Sequence, residues 1–317
     1  MTERINATQS FDVLSDILHT LRFRSTIFFR SSLAAPWGVS LGSMQFPRFH
    51  IAMSGSFYIG SDEVERPIEI KERGVVMLPD GCAHWIADYP GRQLISSSQA
   101  AEECQLSNLD VEADKIASSL MCGLVRFDEQ TSHPFLKSLP TVIHIPCLES
   151  SSPIWRLIEL IDDEIRTSNS LDSIVVDRMS EALFLKLIQV HVQQTTQSTD
   201  GFITALHDPR LHTALRLIHQ RMDEEWTIVK LADSVGMSRA TLVRHFHEAV
   251  GLPPIEYLTQ WRLLKAHNLL KYSTLSLDRI AERVGFATKQ TLTKAFKRQF
   301  GYTPVSLRHM HSATPTA

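Results

Sequence analysis

Apolar residues near the start of the chain recur at three- and four-residue spacing: Phe11, Leu14, Ile17, Leu18 and Leu21. That spacing predicts one short amphipathic helix. From Phe46 to about Ile145 the period shortens toward two in "FHIAMSGSFYIG", "RPIEIKERGVVMLPDGCAHWIADY" and "SLMCGLVRF", with breaks at Gly55, Gly74 and Pro79-Asp80-Gly81. Short alternating segments cut by turn residues predict a β-sandwich or barrel. Helical spacing returns in "SPIWRLIELIDDEIR", opened by Ser152-Pro153, and in "DSIVVDRMSEALFLKLIQVHVQQ", with Asp172 as its cap. Their apolar stripes hold Ile154, Leu157, Ile158, Ile161, Met179, Leu183, Leu187 and Val190, a face for the barrel or for a second subunit. "TTQSTD", Thr195 to Asp200, is polar and aperiodic and reads as a linker. Beyond Pro209 the pattern is helical throughout, beginning with Leu211, Leu215, Ile218 and Met222 on one face.

At 317 residues and 43% hydrophobic, the chain has the composition of a soluble protein with room for two domains. No apolar run approaches the roughly 18–20 residues that cross a bilayer. The start, Met1 to Asn6, lacks the apolar stretch of a secretion signal, so the expectation is a cytoplasmic protein with no membrane partner. Cys82, Cys104, Cys122 and Cys147 are too few for a disulfide scaffold and form no C-x-x-C pair, so reduced thiols are expected. The net charge of -3 conceals a split: residues 1–207 carry 16 Lys and Arg against 26 Asp and Glu, and residues 208–317 carry 16 against 9. A basic back third suits a polyanion, because Lys and Arg neutralise phosphates and release condensed counterions.

The basic region contains a duplication. "LADSVGMSRATLVRHFHEAVG" matches "IAERVGFATKQTLTKAFKRQFG", at an offset of 49 residues up to Gly236 and Gly285 and of 50 from Leu242 and Leu292 onward. Each copy has the grammar of a helix-turn-helix: a small residue at the crossing (Ala232, Ala281), a glycine for the turn, an N-cap (Ser238, Thr288) and a second helix. Leu242 and Phe246, like Leu292 and Phe296, face inward. The outer face then holds Arg239, Ala240, Thr241 and Arg244 in the first copy, and Lys289, Gln290, Thr293, Lys294 and Lys297 in the second. Arg and Lys pair with guanine or phosphate, Gln grips adenine and Thr contacts either, so these faces suit double-stranded DNA. Between the copies, "PPIEYLTQWRLLKAHNLL" predicts a helix of about 27 Å, a spacer near the ~34 Å between successive major-groove faces on one side of DNA.

The segment from about Arg210 to Arg308 resembles the DNA-binding domain of the AraC/XylS family of transcription regulators, through "LADSVGMSRATLVRHF", "RLLKAHNLL" and "RIAERVGFATKQTLTKAFKRQFGYTP". The resemblance implies that Ala240, Val243, Arg244, Gln290 and Lys294 face bases or nearby phosphates. Ala240 and Val243 depart from the longer polar residues often found there and offer only apolar contact to a thymine methyl. Base-specific hydrogen bonding in the first copy therefore falls to Arg244 and Arg239. It also implies RNA polymerase as a partner and activation as the mode, although activator and repressor stay open on the sequence.

The first 150 residues are similar to the cupin-type regulatory domain of one AraC subfamily, through "SDILHTLR", "APWGV", "VVMLPDGCAHWI" and "MCGLVRFD". This implies an α+β multidomain chain. Residues 1–149 form a cupin-like β-barrel with flanking helices that senses an effector, 150–194 a helical connector suited to homodimerisation, and 195–207 a linker. An all-α domain over 208–310 carries two helix-turn-helix motifs joined by a long helix, and 311–317 is a disordered tail. His50 and His84 lie nearest the two cupin metal-motif positions, but the fuller ligand set of enzymatic cupins is lacking, so no enzyme activity is expected. No cofactor is required; the two imidazoles are ligands for a regulatory metal ion or an anion, or hydrogen-bonded barrel histidines. With Trp37 and Trp85 they are the candidate effector-binding residues for a small molecule. The alternative is a redox effector acting on Cys122 or Cys82, since a thiol beside an imidazole can have a lowered pKa.

Overall fold

The computed structural model describes residues 12–100, 102, 116–127, 133–168, 170, 171, 173–195 and 201–313. Cys104, Asp172 and most of the Thr195–Asp200 stretch lie outside them. The chain divides into two compact units: a helical one from Met1–Arg22, Glu129–Ser138 and Thr195–Ala317, and a sheet one from Phe23–Asp128 and Leu139–Gln194.

The sheet unit holds β1 (Arg24–Ala34), β2 (Gly38–Leu41), β3 (Arg48–Gly55), β4 (Phe57–Gly60), β5 (Ile68–Ile70), β6 (Val75–Leu78), β7 (His84–Ala87), β8 (Ile95–Ser96), β9 (Ile116–Arg126) and β10 (Ile143–Ile145). They form two five-stranded sheets, ordered β1-β9-β3-β6-β10 and β5-β4-β7-β2-β8. Register decides what faces inward: Arg48 opposes Leu124, His50 opposes Cys122 and Val76, and Ala52 opposes Leu120. Alternate residues share a face, so the stretch Arg48, His50, Ala52 belongs to the interior with Leu120, Cys122 and Leu78. Phe49 lies on the opposite face, where it fills the space over Gly123; a Cβ there would stand 2.1 Å from the Phe49 ring.

The helices α3 (Pro153–Ser168) and α4 (Ile174–Gln194) belong to this unit, and α4 packs on β1, with Phe184 edge-on to Phe23 at 5.0 Å. Ser152 Oγ accepts the Ile154 N–H, as expected of an opening serine. At the start of α4, Ser173 Oγ accepts the Val175 N–H. Of the expected stripe, Leu157, Met179 and Val190 are only half-buried, while Asp162 is buried and held by Arg30 at 2.6 Å.

The helical unit comprises α1 (Val13–Leu21), the single turn α2 (Pro134–Lys137), α5 (Phe202–His207), α6 (Pro209–Gln220), α7 (Ile228–Ser234), α8 (Arg239–Val250), α9 (Pro254–Tyr272), α10 (Leu277–Arg283), α11 (Lys289–Phe300) and α12 (Pro304–Ala313). Three boundaries differ from the sequence reading. Residues 202–207 of the expected linker are helix, because Phe202, Ile203 and Ala205 bury their side chains. Residues 311–313 of the expected tail continue α12, a helix anchored by buried Leu307; 314–317 lie outside the described residues. Third, α1 and α2 belong with the helical unit rather than with a first domain over 1–149.

The reason for that third difference is a buried polar chain. His133, the cap of α2, accepts the Phe135 N–H at Nδ1, so its proton is on Nε2, which donates to Tyr257 Oη at 3.1 Å. Tyr257 O–H donates in turn to His219 Nε2 at 2.7 Å, and His219 Nδ1–H donates to Asp16 of α1 at 2.9 Å. Lys265 Nζ meets the other Asp16 oxygen at 2.6 Å, and the two donors hold the carboxyl below its ordinary range against the opposing pull of burial. Both imidazoles are buried, which depresses their pKa and keeps them neutral, as the donor pattern requires.

Each helix-turn-helix follows the duplicated pattern. Ala232 and Ala281 are buried at the crossings, Ser238 accepts the Thr241 N–H, and Thr288 forms a capping box with Thr291. Gly236 and Gly285 both adopt positive φ, +65° and +78°. Their surroundings differ: a Cβ at 236 meets nothing within 4 Å, whereas at 285 it would lie 2.7 Å from Met222 O and 2.8 Å from Asp223 Cα. Gly236→Ala is therefore expected to cost roughly 1 kcal/mol, the penalty of a left-handed alanine, and Gly285→Ala about 2–3 kcal/mol once backbone crowding is added. Denaturant midpoints compare them; equal losses would contradict the packing difference. The 19 residues of α9 span about 28 Å.

Candidate functional site

A cavity of about 360 Å³ opens inside the sheet unit, its wall drawn from β1 (Phe29, Leu33), β2 (Leu41), β7 (Ile86) and β9 (Cys122, Leu124), with Arg48 of β3. None of His50, His84, Trp37 or Trp85 lines it. Trp85 points the other way on β7, its ring against Gly60, where any Cβ would clash at 2.4 Å. Trp37 packs against the interior cluster, with its Nε1 buried and unpartnered. His50 and His84 sit behind Cys122, which does reach the cavity.

The two histidines are bound to each other. His84 Nδ1 lies 2.8 Å from the Cys82 carbonyl, which only accepts, so the proton is on Nδ1 and Nε2 carries the lone pair. His50 Nε2 is 2.8 Å from that lone pair and must donate to it. The remaining lone pair, on His50 Nδ1, then accepts from the Cys122 thiol at 2.9 Å. The result is a one-way chain, Cys122 to His50 to His84 to the Cys82 carbonyl, with no proton to spare. Burial, helped by the nearby Arg48 charge, pushes His50 well below its ordinary pKa and His84 down to about 4, so both are neutral at pH 7.

This arrangement bears on two of the sequence readings. As metal ligands, the imidazoles supply two nitrogens already committed to one hydrogen bond, whereas protein metal sites ordinarily take three or four ligands. Among the described residues the three-donor group is Glu63, Asp80 and Cys82 instead, with both carboxylates exposed. Taken alone, His50 and His84 are two nitrogen donors, with the Cys122 sulfur beside His50. As reactive thiols, Cys122 and Cys82 lack the environment that lowers a thiol pKa. Cys122 is fully buried, donates its proton and is pushed strongly upward by desolvation; Cys82 is pushed up to about 11 by burial and by Asp80. The imidazole beside Cys122 is an acceptor of its proton, not a cation that would stabilise a thiolate.

Arg48 is the residue the sequence reading missed. Its side chain makes no hydrogen bond or ion pair among the described residues, its Nη1 is buried without a partner, and the residue is 5% exposed. The signal was the alternation itself, which puts Arg48 on the same face of β3 as His50.

In the helical unit, Arg239, Ala240, Val243 and Arg244 are exposed along α8 and Thr241 is half-buried; Lys289, Gln290, Lys294 and Lys297 are exposed along α11 and Thr293 is half-buried. Leu242, Phe246, Leu292 and Phe296 are buried beneath them. Four of the outward groups are engaged locally: Lys289 pairs with Asp278 at 3.0 Å, Thr293 donates to the Lys289 carbonyl, Thr241 Oγ1 shares a hydrogen bond with Ser238 Oγ at 2.8 Å, and Arg244 Nη2 donates to His245 Nε2 at 3.1 Å. Arg244, Gln290, Lys294 and Lys297 stand on the solvent side, where a phosphate or base edge can reach them.

A sheet sandwich around an apolar cavity, carried on one chain with two helix-turn-helix motifs, is the build of a DNA-binding regulator. Residues 12–193 match a cupin family model, and residues 231–310 match a helix-turn-helix domain model. The HTH-type transcriptional regulator AlkR of Acinetobacter baylyi is 28% identical over 307 residues, covering 94% of this chain and 99% of its own. The RCS-specific HTH-type transcriptional activator RclR of Escherichia coli is 26% identical over 302 residues, covering 94% and 97%. The crystal structure of the DNA-binding domain of AdpA in complex with a target DNA aligns at 32% identity and a TM-score of 0.32, over 33% of this chain and 95% of that one. The chain belongs to the AraC/XylS family of transcription regulators, with a cupin-type N-terminal domain; its relatives are regulators rather than enzymes. No helix among the described residues is long and apolar enough to cross a membrane.

Proposed function

We propose that the protein is an effector-controlled, sequence-specific transcription activator that works in the cytoplasm on promoter DNA as a homodimer, with RNA polymerase as its downstream partner. A small molecule in the sheet-unit cavity is the effector. The observation that carries this reading is the wall of that cavity: it is built on β1 and β9, the two strands whose chain runs on into the helical unit. α1 ends at Leu21 and β1 begins at Arg24, paired with Arg126, the last residue of β9, after which the chain leads to α2. An occupant that favours one arrangement of β1 and β9 thus acts on the segments tied to His219, Tyr257 and Lys265. Only a difference in affinity between arrangements shifts their populations.

On the DNA side, Arg244 and Lys294 read bases or hold adjacent phosphates, one from each recognition helix. Arg239, Thr241, Gln290, Thr293 and Lys297 flank them, and Ala240 and Val243 give apolar contact. Fragments of host DNA recovered by the purified full chain are expected to share two short elements about one helical turn apart. Arg244→Ala and Lys294→Ala are each expected to weaken binding to that site by about 1–3 kcal/mol where they read a base, with a smaller and sequence-uniform loss where they hold phosphate. Unchanged affinity in both variants would remove α8 and α11 from the interface.

A further inference from the structure

We propose that the cavity is built for an apolar anion, an alkyl or aryl monocarboxylate of about a dozen non-hydrogen atoms whose carboxylate pairs with the Arg48 guanidinium. This rests on the reading of the cavity as the effector site and names the chemistry of its occupant.

A guanidinium does not give up its proton in a protein, so a buried one keeps its charge and calls for a counter-charge. None is supplied. Arg48 makes no ion pair and no hydrogen bond among the described residues, and its Nη1 is buried without a partner. Its neighbours cannot answer it either: Cys82 and Cys122 are held as thiols, and the acceptor sites of His50 and His84 are already taken by Cys122 and by each other. An unpaired buried charge weakens the fold that holds it, so its presence in an apolar wall points to a ligand that completes it.

The rest of the wall sets the remainder of the molecule. Phe29, Leu33, Leu41 and Leu124 offer only apolar surface, and Ser97 and Ser98 add two hydroxyls. A cavity of ~150 Å³ holds one benzene; one of about 360 Å³ accepts a little over twice that content. A single guanidinium balances one negative charge, and its planar fork matches the two oxygens of a carboxylate. A dianion would leave charge unpaired in the same apolar surroundings.

The test uses the full chain at pH 7.5 with two acid and alcohol pairs, nonanoate with nonanol and 2-naphthoate with 2-naphthylmethanol, measuring affinity by calorimetry and operator affinity in parallel. The acids are expected to bind at least tenfold more tightly than their alcohols, the worth of a charge-assisted hydrogen bond. Arg48→Met should abolish that preference while leaving alcohol binding intact, and Arg48→Lys should restore part of it. Because Arg48→Met removes an unpaired buried charge, the ligand-free variant should melt at or above the wild-type temperature, which guards against mistaking misfolding for lost affinity. Equal affinity for acids and alcohols, or a preference that survives in Arg48→Met, overturns the proposal. Alcohols that bind and shift operator affinity while the acids do neither would overturn the role of Arg48 and leave the effector reading standing. No binding of either class to a DNA-competent chain would overturn both.

Discussion

Tyr257→Phe is expected to destabilise the helical unit by about 3–4 kcal/mol, although it removes one oxygen atom and fills the same ring volume. The hydroxyl is the middle of the chain from His133 to Asp16, accepting from His133 Nε2 and donating to His219 Nε2. Its loss strands one buried donor and one buried acceptor, and each unsatisfied buried group costs about 1–3 kcal/mol. The ring itself keeps its contacts with Phe202 and Phe246, so little apolar packing is lost to confuse the result. Urea unfolding followed through tryptophan emission, Trp226 and Trp261 being the reporters in this unit, measures the loss directly. A midpoint within experimental scatter of wild type would mean that the chain of hydrogen bonds does not hold α1 and α2 in place.

The DNA-reading half of the molecule was legible because its pattern is local and occurs twice. A small residue at the crossing, a glycine at positive φ and a hydroxyl cap lie within about ten residues of each other, and comparing Ala232, Gly236 and Ser238 with Ala281, Gly285 and Thr288 separates rule from accident. The fate of α1 was not legible for the opposite reason. Its amphipathic spacing showed that it packs on something, but Asp16 meets His219 across 203 positions, and no local pattern encodes so distant a partner. His133 was equally silent: a lone histidine before a proline looks like a loop residue until its ring is seen to cap α2 and reach Tyr257.

The sheet unit shows a third case, in which the sequence held the information and chemistry-first reading looked past it. Histidines drew notice as ligands, and His50 and His84 do come together, yet as a neutral hydrogen-bonded pair rather than as the walls of a site. Arg48, two positions earlier on the same strand, shares their face and carries the unpaired charge. Period-two alternation places a residue inside; only the absence of a counter-charge among the described residues around it, visible once β3, β7 and β9 are assembled, tells a structural arginine from one awaiting a ligand.

Stability of both units is expected to fall steeply as the pH drops below 6.5. Four imidazoles are buried in neutral form, His50 and His84 in one unit and His133 and His219 in the other, and desolvation is the largest cause of each depressed pKa. The Arg48 charge adds to the effect at His50 and His84; Asp16 opposes it at His219, while Lys265 reinforces it. In the unfolded chain these groups titrate near 6.5, so below that pH the unfolded state binds protons that the folded state refuses, and stability rises with pH. Their full contribution is present above 6.5 and is lost as pH falls toward the folded values, about 4 for His84. Each such histidine removes about 1.4 kcal/mol per pH unit in that window, so a pair costs its unit close to 3 kcal/mol per pH unit against a total of roughly 5–15 kcal/mol for a typical domain. Urea midpoints taken between pH 8 and 5 should be level down to about pH 7 and then fall with increasing slope. A flat profile through pH 5.5 would require the imidazoles to be protonated in the fold, and with that the directed hydrogen bonds from Cys122 to the Cys82 carbonyl and from His133 to Asp16 would lose their acceptors.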